Sequence, residues 1–320
     1  MLQEFNSLSV DIPFAFRYNK KDRTIVKGAD RSLRALKLFL LFVLIFSTLL
    51  PCAVAENVYS LPVDFTPGIA PLPSNFLSET EYLDPSLHVV IETGRKDECD
   101  YWAARVKISH PSQLRTAAAA GFENEYTTKG IFIAKRQNAV LAINADYYTY
   151  YKYGYILRQG QVFRDKLRAE RDVLAIDEDG NFHILFTPDR NTMTPTLDGK
   201  KLINVFHFGP ALVVDGEVGT LEASYWLAPE SKRQRMCIAQ TGELEYLALC
   251  CAGPLRGSQG MTLYQFADLA KELGAQTAYN LDGGDSTMMF FNGQKVNDKK
   301  NKNTRDISDI IYFASAWDGQ

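Results

Sequence analysis

Cysteine and histidine are scarce in this chain of 320 residues, at five and four respectively. There is no Cys-x-x-Cys pair, and His88, His110, His183 and His207 are too scattered for metal-ligand spacing. Neither a zinc site nor a dithiol redox centre therefore has a frame in the sequence. Cys99, Cys237, Cys250 and Cys251 would permit disulfides in an oxidising compartment. The last three, however, lie in apolar strand-like runs and read as small core residues. No Gly-Lys-[Ser/Thr] follows a glycine-rich loop, which excludes a nucleotide P-loop. Positive charge is not in excess either. Eight of the 35 basic and four of the 38 acidic residues precede residue 38, so the remainder carries 27 basic against 34 acidic side chains. A nucleic-acid binder needs a sustained basic face to displace counterions, and this chain has none. No fixed-period repeat is visible.

Long apolar runs are also missing, with one short exception. Leu38–Leu50 is uncharged and apolar, follows a basic flank, and leads into Pro51-Cys52-Ala53-Val54-Ala55. A basic flank, a short apolar run and an Ala-x-Ala site together describe an export signal. The run is thirteen residues, against the roughly twenty that span a bilayer. Cleavage after residue 55 is the expectation, and an uncleaved signal-anchor of residues 38–55 the alternative; either makes the rest extracytoplasmic, secreted or membrane-anchored. Residues 56–86, with Pro62, Pro67, Pro71, Pro73 and Pro85, read as an extended spacer. Residues 87–320 are long enough for one domain.

Within that domain the pattern is mostly β. Trp102, Ala104, Val106 and Ile108 alternate with more polar neighbours, as in a half-buried strand. Val140–Ile143, Val173–Asp177, Phe182–Phe186, Ala211–Val214, Met236–Ala239, Leu244–Cys251, Thr277–Leu281 and Ile307–Ala314 add further strands. Asp179-Gly180, Asp215-Gly216 and Asn292-Gly293 mark hairpins. Gln113–Ala120 is expected to be a helix closed by Gly121. A second helix starts at Thr262, whose capping box with Gln265 precedes the stripe Leu263, Phe266, Ala267, Ala270 and Leu273; Gly274 stops it. The implied fold is α+β: a mixed, mostly antiparallel sheet with a few helices packed on it.

Chemistry concentrates in Asn280-Leu281-Asp282-Gly283-Gly284-Asp285-Ser286-Thr287. A strand delivers Asp282 to its end, the glycines allow a ligand to approach backbone amides, and Ser286 and Thr287 add hydroxyls. Carboxylates three residues apart, Asp282 and Asp285, suit acid–base work and charge stabilisation. Asn144 and Asp146 end another strand, ahead of Tyr147, Tyr148, Tyr150, Tyr151, Tyr153 and Tyr155, which either stack on sugar rings or cover a sheet edge. Arg235 could grip a phosphate with its planar fork, although an arginine there is ordinarily a solvated charge.

Taken in order, Ala142-Ile143-Asn144-Ala145-Asp146-Tyr147-Tyr148, Gly209-Pro210-Ala211-Leu212-Val213, Arg235 to Gln240, Gly260-Met261-Thr262, Asn280 to Gly284, Asn292-Gly293 and Arg305 resemble the phosphodiester glycosidase family, over roughly His88 to Ala316. Bacterial members of that family are labelled exopolysaccharide biosynthesis proteins. The resemblance implies hydrolysis of a sugar-1-phosphodiester, such as an N-acetylglucosamine-1-phosphodiester, in cell-envelope or extracellular glycans. It implies Asp282 as leading carboxylate, with Asp146 or Asp285 as the second. Asn144, Arg235, Gly283, Gly284, Ser286 and Thr287 would hold the substrate. Asp285 and Asp146 stand where many members have glycine, which points to a different pocket. The spacing requires no metal, though a divalent cation bridging Asp282 and phosphate is compatible with it. A glycan or sugar phosphate is the expected partner, not nucleic acid. Two other readings use the same residues: a non-catalytic module for exopolysaccharide or teichoic-acid assembly, and a metal phosphodiesterase cleaving P–O.

Overall fold

The computed structural model describes residues 59–167, 171–186, 193–221, 228–255, 257–299 and 304–320. The signal and anchor expectations for residues 1–55 lie outside them. Among the described residues no helix is long and apolar enough to cross a membrane.

Apolar runs such as Arg235–Gly242 and Glu245–Cys251 are buried almost throughout. Such continuity needs a strand covered on both faces. Those two strands sit at the centre of an eight-stranded sheet. Its spatial order is Glu81–Leu83, Leu87–Lys96, Cys99–Ile108, Glu245–Cys251, Arg235–Gly242, Thr277–Asn280, Ala211–Val214, Glu217–Val218, and every pairing is antiparallel. Alternate residues face opposite layers. Met236, Ile238, Tyr246 and Ala248 point into the main core. Their neighbours Cys237, Ala239, Leu247 and Leu249 point the other way, onto the helix Leu263–Glu272, here α2. The main core is closed by two smaller antiparallel sheets. One carries Ala139–Asn144 between Met289–Phe291 and Asp309–Ala314, and the other carries Lys200–Phe206 between Gly154–Arg158 and Val173–Asp177. A shorter helix, α1 (Gly130–Arg136), covers the outer side of the first. The α+β, mostly antiparallel single domain is therefore what the chain forms.

Helix α2 begins as expected. The Thr262 hydroxyl accepts from the Gln265 amide, while the Gln265 side chain accepts from the Thr262 amide. The same two-donor saturation of a helix start typically contributes about 1 kcal/mol. The other expected helix does not form. Pro111–Gln113 is a single 3-10 turn, and Leu114–Ala118 is a strand paired with Asp309–Ala314. All five of its residues are buried. Alanine's strong helical preference is overridden because tertiary burial outweighs propensity in a segment covered on both faces. Arg115 settles the matter: its side chain is buried and donates to the carbonyls of Pro62, Asp64, Thr66 and Ser112.

Those bonds also correct the spacer expectation for residues 56–86. From residue 61 onward the chain lies against the domain. The Leu61 amide donates to Ser112 Oγ, Ile69 bridges to Ser315, and Tyr82 is wholly buried. Prolines keep this stretch irregular without detaching it. The four described cysteines are free and buried.

Candidate active site

Three strand ends meet at one point. Ala139–Asn144 runs into Asp146, Thr277–Asn280 runs into Asp282, and Asp309–Ala314 starts at Asp309. Backbone bonds lock the ends together: Asp282 N donates to Ala145 O (3.2 Å), Ala145 N to Asp309 O (3.3 Å) and Asn280 N to Pro210 O (3.1 Å). Asn144 is a buried crosslink within this junction. Its Nδ2 donates to Asp282 O at 2.7 Å, and its Oδ1 accepts from Met288 N at 3.1 Å. Both ends of the Asn144 side chain thus engage the 282–288 loop and fix its shape.

The glycines of that loop differ in purpose. A Cβ on Gly283 would stand 2.7 Å from Gln234 O, so the position demands a bare backbone. Gly284 has φ +60 and open space around its α-carbon, and its amide donates to Gln234 O at 3.0 Å. It needs glycine for its left-handed turn and not for room. Beyond it Gly284–Ser286 forms one 3-10 turn.

Asp282 emerges from this turn partly exposed, with its Oδ2 buried and lacking any hydrogen-bond partner. Burial is the main cause that lifts its pKa to about 6, and the charge of Asp146 adds to it. The Ser286 hydroxyl, Arg305 and the Gly283 amide pull the other way. The Ser286 hydroxyl thus stands near enough to favour the charged carboxylate, yet outside hydrogen-bonding geometry. Thr287 Oγ1 and Asn280 Oδ1 are likewise buried without partners. Buried polar atoms left open are rare and call for an explanation. Here four of them belong to one eight-residue segment.

The two candidates for a second carboxylate sit in different settings. Asp146 is buried and fully engaged: Oδ1 accepts from Arg158 Nη2 at 2.8 Å, and Oδ2 from the His207 amide at 3.0 Å. Asp285 is exposed, and its carbonyl accepts from Arg305 N. A third acid at the junction, not singled out from the sequence, is Asp309, buried at 3.6 Å from Arg158 Nη2. Burial first, and then the charge of Asp146, raises the Asp309 pKa well above the carboxylate range. Arg158 was missed as well. Its fully buried guanidinium lies 4.3 Å from the centre of the Phe206 ring and pairs with Asp146. An arginine before the Gln159-Gly160 turn and an acid opening an apolar strand are the only sequence traces of this pair.

Arg235 is in register to lie opposite Asp282, since Cys237 pairs with Asn280 in the antiparallel ladder. Its guanidinium is nevertheless turned to protein carbonyls: Nε donates to Met261 O at 3.2 Å and Nη2 to Ser231 O at 2.7 Å. Burial lowers its pKa to about 10. Among the described residues no ion pair joins it to Asp282. The tyrosines divide into two groups. Tyr148 and Tyr155 are buried, whereas Tyr147, Tyr150, Tyr151 and Tyr153 form a run of ring contacts at 4.6–5.4 Å, with Arg171 4.4 Å from the Tyr151 ring centre. Tyr147 directly follows Asp146 and has φ +52, a conformation side chains rarely adopt. No group of three or more His, Cys, Asp or Glu able to hold a metal occurs among the described residues.

Against known families, residues 137–314 match the phosphodiester glycosidase model, more than half of the 320. A prophage-derived uncharacterized protein of Bacillus subtilis is 25% identical over 201 residues, which is 61% of this chain and 31% of that protein. The chain thus spans about a third of that relative's length. Among solved structures, the catalytic domain of zebrafish N-acetylglucosamine-1-phosphodiester alpha-N-acetylglucosaminidase, auto-inhibited by its pro-peptide, superposes with a TM-score of 0.58 at 16% identity, covering 78% of this chain and 87% of that one. A hypothetical protein from Synechocystis gives 0.55 at 16% identity, covering 71% and 62%. Both likenesses are of fold.

Proposed function

The chain belongs to the phosphodiester glycosidase family, and from that premise we propose that it hydrolyses a sugar-1-phosphodiester in an extracytoplasmic glycan by breaking the glycosidic bond. An N-acetylglucosamine-1-phosphodiester is the first substrate to try. The observation that carries the reading is Asp282, an acid at a strand end with one buried oxygen unclaimed and a pKa of about 6. Near neutral pH such a carboxyl is mostly charged yet still basic enough to take a proton.

In the proposed step, water adds to the anomeric carbon as that carbon's bond to the phosphate oxygen breaks. The bonding electrons leave with the phosphate, and the water proton passes to Asp282. The products are a free sugar and a phosphomonoester. Positive charge building on the sugar ring is stabilised by the nearby carboxylate. The leaving phosphate needs no strong acid but does need donors, and the unpartnered hydroxyls of Ser286 and Thr287 would supply them. Asp146 acts at one remove, as an anchored negative charge that keeps Asp282 basic. Export follows from the signal-like residues 38–55, and cell fractionation with antibody to the domain tests it.

The chemistry is tested by hydrolysing a methyl N-acetylglucosamine-1-phosphodiester in ¹⁸O-water. Label in the released sugar is the expected outcome. Label in the phosphate would mean P–O cleavage and overturn the proposal, as would the absence of turnover with every sugar-1-phosphodiester offered.

A further inference from the structure

The edge strand Glu81–Leu83 pairs with Leu87–Lys96 up to Val90, and the Ile91 amide donates to Thr80 O at 2.8 Å just past it. Beyond that point the sheet edge is open, and a cavity of about 520 Å³ lies over it. That volume is within the roughly 300–1,000 Å³ of small-molecule sites. The half-buried indole of Trp102 forms one wall, directly across the ladder from the exposed Thr93. Among the described residues, three carboxylates, Glu79, Asp100 and Asp298, share the lining with one cation, Lys299. Glu79 sits 3.7 Å from Lys299, and Asp100 accepts from Arg95 at 2.6 Å.

The chemistry of this lining selects its ligand. An aromatic face packs against the C–H face of a pyranose, and carboxylates accept from its hydroxyls. The described lining is net negative, which disfavours phosphate. Position ties the cavity to Asp282 through one residue. Gln234 donates from Nε2 to Asp298 Oδ2 at 3.4 Å, while its carbonyl accepts the Gly284 amide at 3.0 Å. The wall of the cavity is thus built on the same residue that seats the Asp282 loop.

We infer that this cavity is a subsite for uncharged sugar rings, holding the glycan that extends from the scissile phosphodiester. In naming the ligand as part of the substrate the inference rests on the proposed hydrolysis, but binding is measurable without turnover. The substrate class becomes an oligomeric glycan carrying a sugar-1-phosphate link, not an isolated diester.

The test uses the full chain carrying Asp282→Asn, titrated by calorimetry with chitotriose, mannotriose and maltotriose. At least one trisaccharide should bind, and adding Thr93→Trp, which fills the cavity from an exposed position, should weaken it by tenfold or more. Trp102→Phe, which keeps the packing but shrinks the platform, should weaken it less. Absence of binding by all three, or binding unaffected by Thr93→Trp, overturns the subsite. With Asp282 intact, Thr93→Trp should leave turnover of the methyl diester unchanged and raise KM for an oligosaccharide diester. Failure of all hydrolysis would remove the proposed function while the binding titration still decides the subsite.

Discussion

A carboxyl removed from water with no donor for one of its oxygens resists ionisation, and Asp282 shows what that costs and what it offers. Its folded pKa of about 6 lies above the ordinary aspartate value of 3.8. A raised carboxyl pKa means that stability is greatest below the unfolded pKa and is lost as pH climbs from about 4 to about 6. Asp282→Asn should therefore abolish turnover, by 10³-fold or more, yet melt higher than the native chain at pH 7, by on the order of 2 kcal/mol. Parallel rate assays and melting curves check both halves; a variant that is inactive and also less stable would remove the argument. In the native chain kcat/KM should rise with pH through about 6 as the base becomes charged. Asp309 obeys the same sign with no catalytic return. Because burial beside Asp146 keeps it protonated, Asp309→Asn should cost nothing at acid pH and stabilise progressively as pH rises, read by thermal melts from pH 4 to 9.

At the scale of elements, the glycine pair offers a sharper contrast. Gly283→Ala would push a methyl to 2.7 Å from the Gln234 carbonyl, so either the loop or the strand Arg235–Gly242 must shift. Gly284→Asn meets open space and a backbone angle that asparagine tolerates. The first change should lose at least 100-fold in turnover and several degrees in Tm, and the second less than tenfold; equal effects would contradict the close-approach argument. The Asp282 loop was legible in the sequence because a strand, two glycines and two acids leave few local alternatives. Helix α2 was legible because its capping box is self-contained over four residues. Leu114–Ala118 was not, since the alanines say little locally and the partner strand lies almost 200 residues further along. A separation of 151 residues hid the Arg158–Asp309 pairing, whose members are buried together only by the meeting of two different sheets. Arg235 was legible as a residue of interest, but not its engagement with the Met261 and Ser231 carbonyls.

At the scale of the whole molecule, one side chain decides how the first described stretch is attached. Arg115 is 1% exposed, and its donors meet the carbonyls of Pro62, Asp64 and Thr66 as well as the Tyr312 hydroxyl at 3.0 Å. Three of these acceptors belong to the strap that leads into the domain, and none belongs to the Asp282 loop. Replacing Arg115 by Met keeps the apolar stem and removes every donor, leaving several carbonyls without a partner. Each lost bond of this kind costs about 1–3 kcal/mol when water cannot replace it, but the strap can lift and let water in, which limits the total. Arg115→Met should therefore lower Tm by roughly 5–10 °C and open the chain to protease between residues 61 and 69. The rate per folded molecule on a methyl sugar-1-phosphodiester should hardly change. Mass spectrometry of a brief proteolysis, paired with a rate assay on the surviving fold, separates the outcomes. Cleavage elsewhere would deny that Arg115 secures the strap, and a loss of turnover without cleavage would mean that the strap and the Asp282 junction are one cooperative unit, because Leu114–Ala118 pairs along the same strand, Asp309–Ala314, that begins at the site.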